Sequence, residues 1–248
     1  MHRARKRFGQ HFLHDQDVIG HIVESIAPQR SDHMVEIGPG LGAITLPLLQ
    51  RLDRLDAVEI DRDTISHLAG RTDPSVLHLH EADVLNFDFA TLRTGAARLR
   101  IVGNLPYNIS TPLLFKLIAQ RDAILDMHFM LQKEVVDRMA ATEQQGDYGR
   151  LSVMLAPWLR VEPLFDIGPA AFRPPPRVTS TFVRLVPHAV APFTLTAPGR
   201  FSAIVAAAFS QRRKTLRNAL KQLLSEEQIR EAGIDPSQRA EVIAPAAE

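Results

Sequence analysis

An α/β fold built on a parallel sheet and followed by a small all-α region is what this sequence predicts, on three observations. Short apolar runs of strand length alternate with helical patterns from Met34 to Leu131. A glycine turn, Gly38-Pro39-Gly40-Leu41-Gly42, stands between the first such strand and its helix. From Pro198 onward the pattern is helical, after a stretch from Pro187 to Pro198 that reads as a linker. That break divides the chain into a first domain, residues 1–188, and a second, residues 189–248.

Taken in order, the chain opens on a basic, aromatic-bearing lead-in, with Arg3, Arg5, Lys6 and Arg7 ahead of Phe8-Gly9-Gln10-His11-Phe12-Leu13. Asp15 or Asp17 caps a helix whose apolar face is Val18, Ile19, Ile22, Val23 and Ile26, ending before Pro28. Met34 to Ile37 is a short strand, and the glycine turn leads at once into a helix from Ala43 to Leu52. Missing side chains in such a turn let a ligand approach the backbone, and the helix N-terminus offers free amides. A second strand, Leu55 to Ile60, carries Glu59 twenty-one positions after Gly38, where a carboxylate meets a ribose diol. A third strand, Val76 to Ala82, ends beside Asp83, placed to accept from an adenine amino group. Gly38, Gly40 and Ala43 also satisfy the dinucleotide template, so this loop alone leaves NAD open. Pro39 inside the loop and the additional acid Asp83 favour S-adenosylmethionine.

The most informative stretch is Val102-Gly103-Asn104-Leu105-Pro106-Tyr107-Asn108, which follows the buried strand Leu99 to Val102. The Asn104 side-chain oxygen and a backbone carbonyl freed by the turn both accept from an exocyclic amine. Pro106 fixes its own φ, restrains Leu105 to an extended conformation and removes a competing donor. Tyr107 presents a π-face on which a base stacks. Ser110 or Thr111 caps the next helix, with Pro112 at its first position and Leu113, Leu114, Leu117 and Ile118 facing inward. A fifth strand, Met127 to Leu131, leads into a helix from Gln132 to Met139, and Glu143 to Gly149 reads as a surface loop. Leu151 to Leu159 is an apolar segment, helical until Pro157. Two further strands, Val161 to Ile167 and Ser180 to Val186, flank Phe172-Arg173-Pro174-Pro175-Pro176-Arg177-Val178. Three prolines hold that loop extended and place Phe172 to close on a base opposite Tyr107, core packing being the alternative.

Three short helices complete the pattern. The first holds Phe201, Ile204, Val205, Ala208 and Phe209. The second carries Arg212, Arg213, Lys214, Arg217 and Lys221, with Leu216, Leu220, Leu223 and Leu224 as its buried stripe. Ser225-Glu226-Glu227-Gln228 is a capping box that opens the third, closed by Gly233.

Composition bounds the function. With 248 residues, 45% hydrophobic and 23% charged, the chain has the make-up of a soluble globular protein with a full core. The absence of cysteine excludes disulfides, thiolate zinc sites and cysteine nucleophiles, and fits a cytoplasmic protein. No apolar run reaches signal-peptide or membrane-spanning length. His78-x-His80 and the pair His11 and His14 lack a third ligand nearby, so no metal is expected. The net charge of +1 conceals a segregation, because Tyr148 to Lys221 holds eleven Lys and Arg against two acids. A partner that is a polyanion, such as nucleic acid, suits that segment.

The blocks Phe8 to Leu13, Glu36 to Gly40, Gly103 to Ser110, Phe172 to Val178 and Gln211 to Lys214 run in order along almost the whole chain. In these blocks the sequence resembles the ribosomal RNA adenine dimethyltransferases, most closely the bacterial small-subunit type. The resemblance implies a Rossmann-like, S-adenosylmethionine-dependent methyltransferase domain followed by a small helical RNA-binding domain. It also implies transfer to two adjacent adenosines near the 3′ end of small-subunit (16S) rRNA, by a cytoplasmic monomer acting in subunit maturation. Carried over by position, it assigns His11, Leu13, Gly38, Gly40, Glu59, Asp83 and Asn104 to the cofactor. Asn104, Leu105, Pro106, Tyr107 and Phe172 go to catalysis. By their charge, and not by the resemblance, Arg173, Arg177, Arg212, Arg213, Lys214, Arg217 and Lys221 are assigned to RNA. The ending Ala244-Pro245-Ala246-Ala247-Glu248 departs from the family's further helix. The alternatives are the macrolide-resistance type that methylates large-subunit rRNA, a non-catalytic ribosome-assembly factor and an NAD-dependent oxidoreductase.

Overall fold

A computed structural model describes residues 11–211 and 213–245. Arg3, Arg5, Lys6, Arg7, Phe8, Gly9, Gln10, Arg212 and the last three residues therefore lie outside the described residues. In chain order the elements are β1 (Phe12–Leu13), α1 (Gln16–Ile26), β2 (Met34–Ile37), α2 (Thr45–Leu49), β3 (Leu55–Glu59), α3 (Arg62–Ala69), β4 (Leu77–Glu81), β5 (Leu99–Asn104) and α4 (Ser110–Ala119). There follow β6 (Ile124–Gln132), α5 (Lys133–Ala140), α6 (Arg150–Leu155), β7 (Leu159–Ile167), β8 (Phe172–Arg173), β9 (Ser180–Pro187), α7 (Pro198–Ala208), α8 (Leu216–Ala219) and α9 (Glu226–Glu231).

Seven strands form one sheet in the order β4-β3-β2-β5-β6-β9-β7, and β1 pairs with β8 in a separate ribbon. The pairs from β4 to β6 are parallel, and β9 runs antiparallel to β6. The chain winds outward from β2 to β4, then returns to the other side of β2 with β5. Parallel strands that reverse their winding leave a crevice beyond their carboxyl ends, between β2 and β5. Apolar residues on both faces explain the near-continuous burial of β2, β3 and β6.

Local chemistry accounts for most boundaries. Asp15 caps α1 by accepting from the Asp17 and Val18 amides, and Ile19, Ile22, Val23 and Ile26 are buried. Asp61 caps α3 in the same way through the Asp63 amide. The helix expected from Ala43 to Leu52 is only Thr45–Leu49, because residues 41–44 belong to the glycine turn. Neither Ser110 nor Thr111 caps α4. Its N-cap is Ile109, and the Ser110 hydroxyl donates instead to the Tyr107 carbonyl at 3.1 Å.

Two buried ion clusters tie strands together away from the crevice. Asp56 receives His33 Nε2 at 3.0 Å, His80 Nε2 at 2.7 Å and the Arg54 guanidinium. Burial pushes the Asp56 carboxyl up, but Arg54, His80 and His33 hold it below its ordinary value. The His80 ring is thus committed to a carboxylate. On the other side of the sheet, Arg100 reaches Asp126 at 2.9 Å and Asp32 at 2.6 Å, and Arg184 reaches Asp126 at 3.2 Å. Beside them His128 is 1% exposed and its Nδ1 has no hydrogen-bond partner among the described residues.

The contacts group the chain into two units. One ends at Lys133 and takes in Glu162–Pro187, and the other holds Glu134–Val161 together with the residues from His188. This corrects the expected division at 188/189: α5 and α6 belong with the C-terminal helices, because Tyr148 and Val153 share a core with Val205. A second cluster in that unit joins Leu216, Leu220 and Ile229 with Ala208. The expected basic helix is also corrected. Only Leu216–Ala219 is helical, Arg213 and Lys214 precede it, Lys221 follows it, and Leu223 is exposed rather than buried. The capping box at Ser225 and Gln228 forms as expected, with Gly233 at φ +75° closing the turn. Among the described residues, no helix is long and apolar enough to cross a membrane.

Candidate active site

The crevice between β2 and β5 opens into a pocket of about 290 Å³. His11, Leu13, Gly38, Gly40, Glu59, Asp83, Asn104, Leu105, Pro106 and Tyr107 all line it. They come from β1 and the residue before it, the turn after β2, the ends of β3 and β4 and the tip of β5, so the fold brings together residues as distant in sequence as His11 and Tyr107. Gly38 and Gly40 adopt φ of +66° and +55°, a backbone region that side chains disfavour. The turn is thereby folded back on β3, with the Gly38 amide donating to the Val58 carbonyl at 3.0 Å. A Cβ on Gly40 would stand 3.3 Å from the Phe12 ring, so β1 lies across the turn and closes one wall.

Glu59 is held by its own chain. Its Oε1 accepts from the Ile60 and Asp61 amides at 2.8 and 2.9 Å. Burial raises the Glu59 carboxyl above its ordinary value, and these amides with that of Gly40 oppose the rise. Asp83 is exposed at the opposite wall and accepts from the Leu85 amide at 2.9 Å and the Asn86 side chain at 3.2 Å. A carboxylate has about four acceptor positions, so both acids retain capacity for a ligand.

Asn104 has a defined orientation. Its Nδ2 donates to the His11 carbonyl at 2.9 Å. That carbonyl can only accept, so the amide nitrogen must face it and Oδ1 points the other way as an acceptor. The next residue, Leu105, is 1% exposed and its amide donates to the Met130 carbonyl at 3.3 Å. The residue ahead of β1 and strand β6 therefore fix both sides of the tip of β5. Close approach to β2 requires Gly103, where a Cβ would lie 2.6 Å from the Ile37 carbonyl oxygen.

Phe172 is the site residue that the structure relocates. It is 2% exposed, pairs with Leu13 across the β1–β8 ribbon and belongs to the main core cluster. A ring with its full area buried among apolar neighbours has no free face, so Phe172 does not close on Tyr107 from the opposite side. The aromatic partner of Tyr107 is instead His11, with ring centroids 5.9 Å apart and planes inclined by 28°. Arg173 at the end of β8 and Arg177 in the loop that follows are exposed, and Arg213, Lys214, Arg217 and Lys221 are exposed in the other unit.

Glu36 is an addition that motif reading does not supply. It lies inside β2, lines the pocket, and its buried Oε2 has no hydrogen-bond partner among the described residues. Its signal in the sequence is slight, an acid within an apolar strand two positions before Gly38. Burial pushes its carboxyl up to about 7, the Thr45 hydroxyl offsetting part and the Glu59 charge adding to it. Burial pulls the His128 imidazole down to about 4, against the attraction of Asp126.

These two groups act oppositely on stability. Glu36 binds a proton more tightly in the folded protein, so its contribution is full below pH 4.5 and is lost as pH rises to 7. His128 binds a proton more tightly in the unfolded chain, so stability is lost as pH falls from 6.5 to 4. Each effect is on the order of 3 kcal/mol. Glu36→Gln removes the first and leaves the second. In urea unfolding without ligand, the variant gains on the parent between pH 5 and pH 8, while an unchanged difference across that range contradicts the buried, protonated Glu36.

The strand order, the glycine turn at the carboxyl end of β2 and the acids ending β3 and following β4 define a Rossmann-like methyltransferase of the S-adenosylmethionine-dependent class. The family model described as ribosomal RNA adenine dimethylase matches residues 1–247, and the chain belongs to that family. It is similar to the ribosomal RNA small subunit methyltransferase A of Nitrosococcus oceani, 56% identical over 243 residues that cover 98% of this chain and 92% of the relative. The protein of the same name from Methylococcus capsulatus is 56% identical over 241 residues, covering 97% and 93%. Among solved structures, a dimethyladenosine transferase from Plasmodium falciparum superposes with a TM-score of 0.73 at 27% identity, covering 90% of this chain and 79% of that one. The 23S rRNA methyltransferase ErmE shares the fold, with a TM-score of 0.70 at 23% identity over 95% of this chain and 96% of that one.

Proposed function

We propose that this enzyme transfers methyl groups from S-adenosylmethionine to the exocyclic amines of two adjacent adenosines near the 3′ end of 16S rRNA, forming N6,N6-dimethyladenosine during small-subunit maturation. Family membership and the names of the relatives support the reaction class and the rRNA substrate. The observation that carries the chemistry is the orientation of Asn104, which leaves Oδ1 as a fixed acceptor at the pocket tip.

The residues present fit the cofactor. Glu59 would take the ribose diol, Asp83 the adenine amine, and Gly38, Gly40, His11 and Leu13 the backbone-lined methionine side. When bound, the cofactor supplies an electrophilic methyl group on a sulfonium.

The target amine is a poor nucleophile because its lone pair is delocalised into the purine ring. Asn104 Oδ1 and the Leu105 carbonyl accept from its two hydrogens, favour a pyramidal nitrogen and aim the lone pair. Pro106 keeps Leu105 extended and Tyr107 seats the ring, so catalysis is chiefly positioning for in-line displacement. The amine becomes acidic as it is alkylated and passes its proton to water. The scheme asks for neither a metal nor a membrane, and suits a monomer in the cytoplasm. Stacking on Tyr107 offsets part of the few kcal/mol needed to splay the base out of its loop.

Arg173, Arg177, Arg212, Arg213, Lys214, Arg217 and Lys221 are assigned to the RNA phosphates, which position the substrate without any reading of bases. Reversing Arg213, Lys214 and Arg217 to Glu weakens small-subunit binding and lowers its log-log salt slope by about 0.7 to 0.9 for each phosphate that is no longer neutralised. An unchanged slope removes these side chains from the interface.

The assay that tests the function presents unmethylated small and large ribosomal subunits separately with methyl-labelled S-adenosylmethionine and identifies the modified nucleosides. The expected product is dimethyladenosine in small-subunit rRNA only. Label in the large subunit, or binding to the small subunit without label, overturns the assignment.

A further inference from the structure

We propose that Ser180 and the ring of His11 are positioning residues that fix the plane of Tyr107, so that the target adenine seats on the ring face turned away from His11. The inference rests on the reading of the Asn104 loop as the seat of the target amine.

Tyr107 lies on the loop after β5, partly exposed, where an aromatic side chain is free to turn about two torsions unless something holds it. Two contacts hold it. Its hydroxyl and the Ser180 hydroxyl are 3.0 Å apart. Ser180 is 1% exposed and sits at the start of β9, paired in register with Gln132 of β6, so the far end of the phenol is tied to the sheet. The second contact is on the ring itself, where the His11 imidazole stacks at 5.9 Å. That imidazole is anchored in turn, its Nδ1 donating to the Pro174 carbonyl at 2.8 Å. One face of Tyr107 is therefore taken by the protein, and the stacking platform for a base is the other.

The backbone of His11 does different work from its ring. Its carbonyl orients Asn104, and that bond survives any replacement of the side chain. The acceptor for the amine and the platform for the base thus meet at one residue but separate cleanly by mutation. Neither Ser180 nor the imidazole needs to touch the reacting atoms. Their effect passes through the ring plane, and misplacement by about 1 Å costs on the order of a hundredfold in rate.

The test compares Ser180→Ala, Ser180→Thr, Tyr107→Phe, His11→Ala and the double variant Ser180→Ala with Tyr107→Phe. For each, kcat and KM on unmethylated small subunits and the Kd for S-adenosylmethionine are measured, with thermal unfolding to establish that the protein is folded. Subunit binding is dominated by the phosphates, so KM and cofactor Kd stay within about twofold while kcat falls about tenfold or more. Because the two single changes break the same bond, the double variant is no slower than the slower single, and Ser180→Thr recovers most of the rate. His11→Ala lowers kcat as well, and since His11 also lines the cofactor pocket the cofactor criterion is read from the Ser180 variants. Additive losses in the double variant, a loss of cofactor affinity parallel to kcat, or parent-like kcat in Ser180→Ala each overturn the proposal. Should the parent itself place no methyl on small-subunit adenine, it is the underlying reading that fails.

Discussion

Asn104→Ala is expected to reduce methyl transfer at saturating cofactor by about a hundredfold to a thousandfold, the range for removing one preorganised hydrogen-bonding group aimed at a reacting centre. The change deletes the Oδ1 acceptor and the Nδ2 donor to the His11 carbonyl together. The glycine turn, Glu59 and Asp83 are left as they are, so affinity for S-adenosylmethionine falls only a few fold. Single-turnover transfer to unmethylated small subunits, set beside a cofactor titration, separates the two. Turnover within about threefold of the parent would remove Asn104 from the chemistry.

Gly103→Ala is expected to have the next largest effect, for a reason of packing. Gly103 faces Ile37 across the β2–β5 pair, and a Cβ there would lie 2.6 Å from the Ile37 carbonyl oxygen and 3.2 Å from Leu105 Cδ2. The close atom is backbone in the middle of a parallel sheet, so relief requires the strands to part. Overpacking of this kind costs roughly 1–3 kcal/mol of stability. The displaced strand also carries Asn104 with it, so kcat falls by about a hundredfold in the protein that remains folded. Gly38→Ala is the contrast, because the nearest atom to a Cβ there is 4.0 Å away and the cost is confined to the positive φ. Urea unfolding and kcat for both variants check this. Equal stability of Gly103→Ala and the parent would mean that β2 and β5 do not approach as described.

Much of the fold is readable in the sequence because its signals are local. Asp15 ahead of the apolar face of α1, the Ser225 capping box and the alternation of strands with helices each declare themselves within a few residues. The pocket is readable for a related reason. A parallel sheet places the carboxyl ends of its strands side by side, so Gly38, Glu59, Asp83 and Asn104 converge once the strands are identified. What is not readable depends on contacts distant in the chain. Phe172 looks available in its proline loop, yet Leu13 and the core claim it. His11 is legible as a pocket residue, but the packing of its ring on Tyr107 is not. Residues 134–161 look like a continuation of the first unit, yet Tyr148 and Val153 pack with Val205. Glu36 is silent for a different reason, since an acid inside an apolar strand becomes informative only when its buried oxygen is found without a partner.

The most direct measurement is a structure of the enzyme with S-adenosylhomocysteine and an adenosine-bearing RNA fragment. The expected result has the adenine amine within hydrogen-bond reach of Asn104 Oδ1 and the Leu105 carbonyl, with the ring on the face of Tyr107 that His11 does not cover. A purine seated elsewhere, with Asn104 turned so that its oxygen faces away from the amine, would contradict the account.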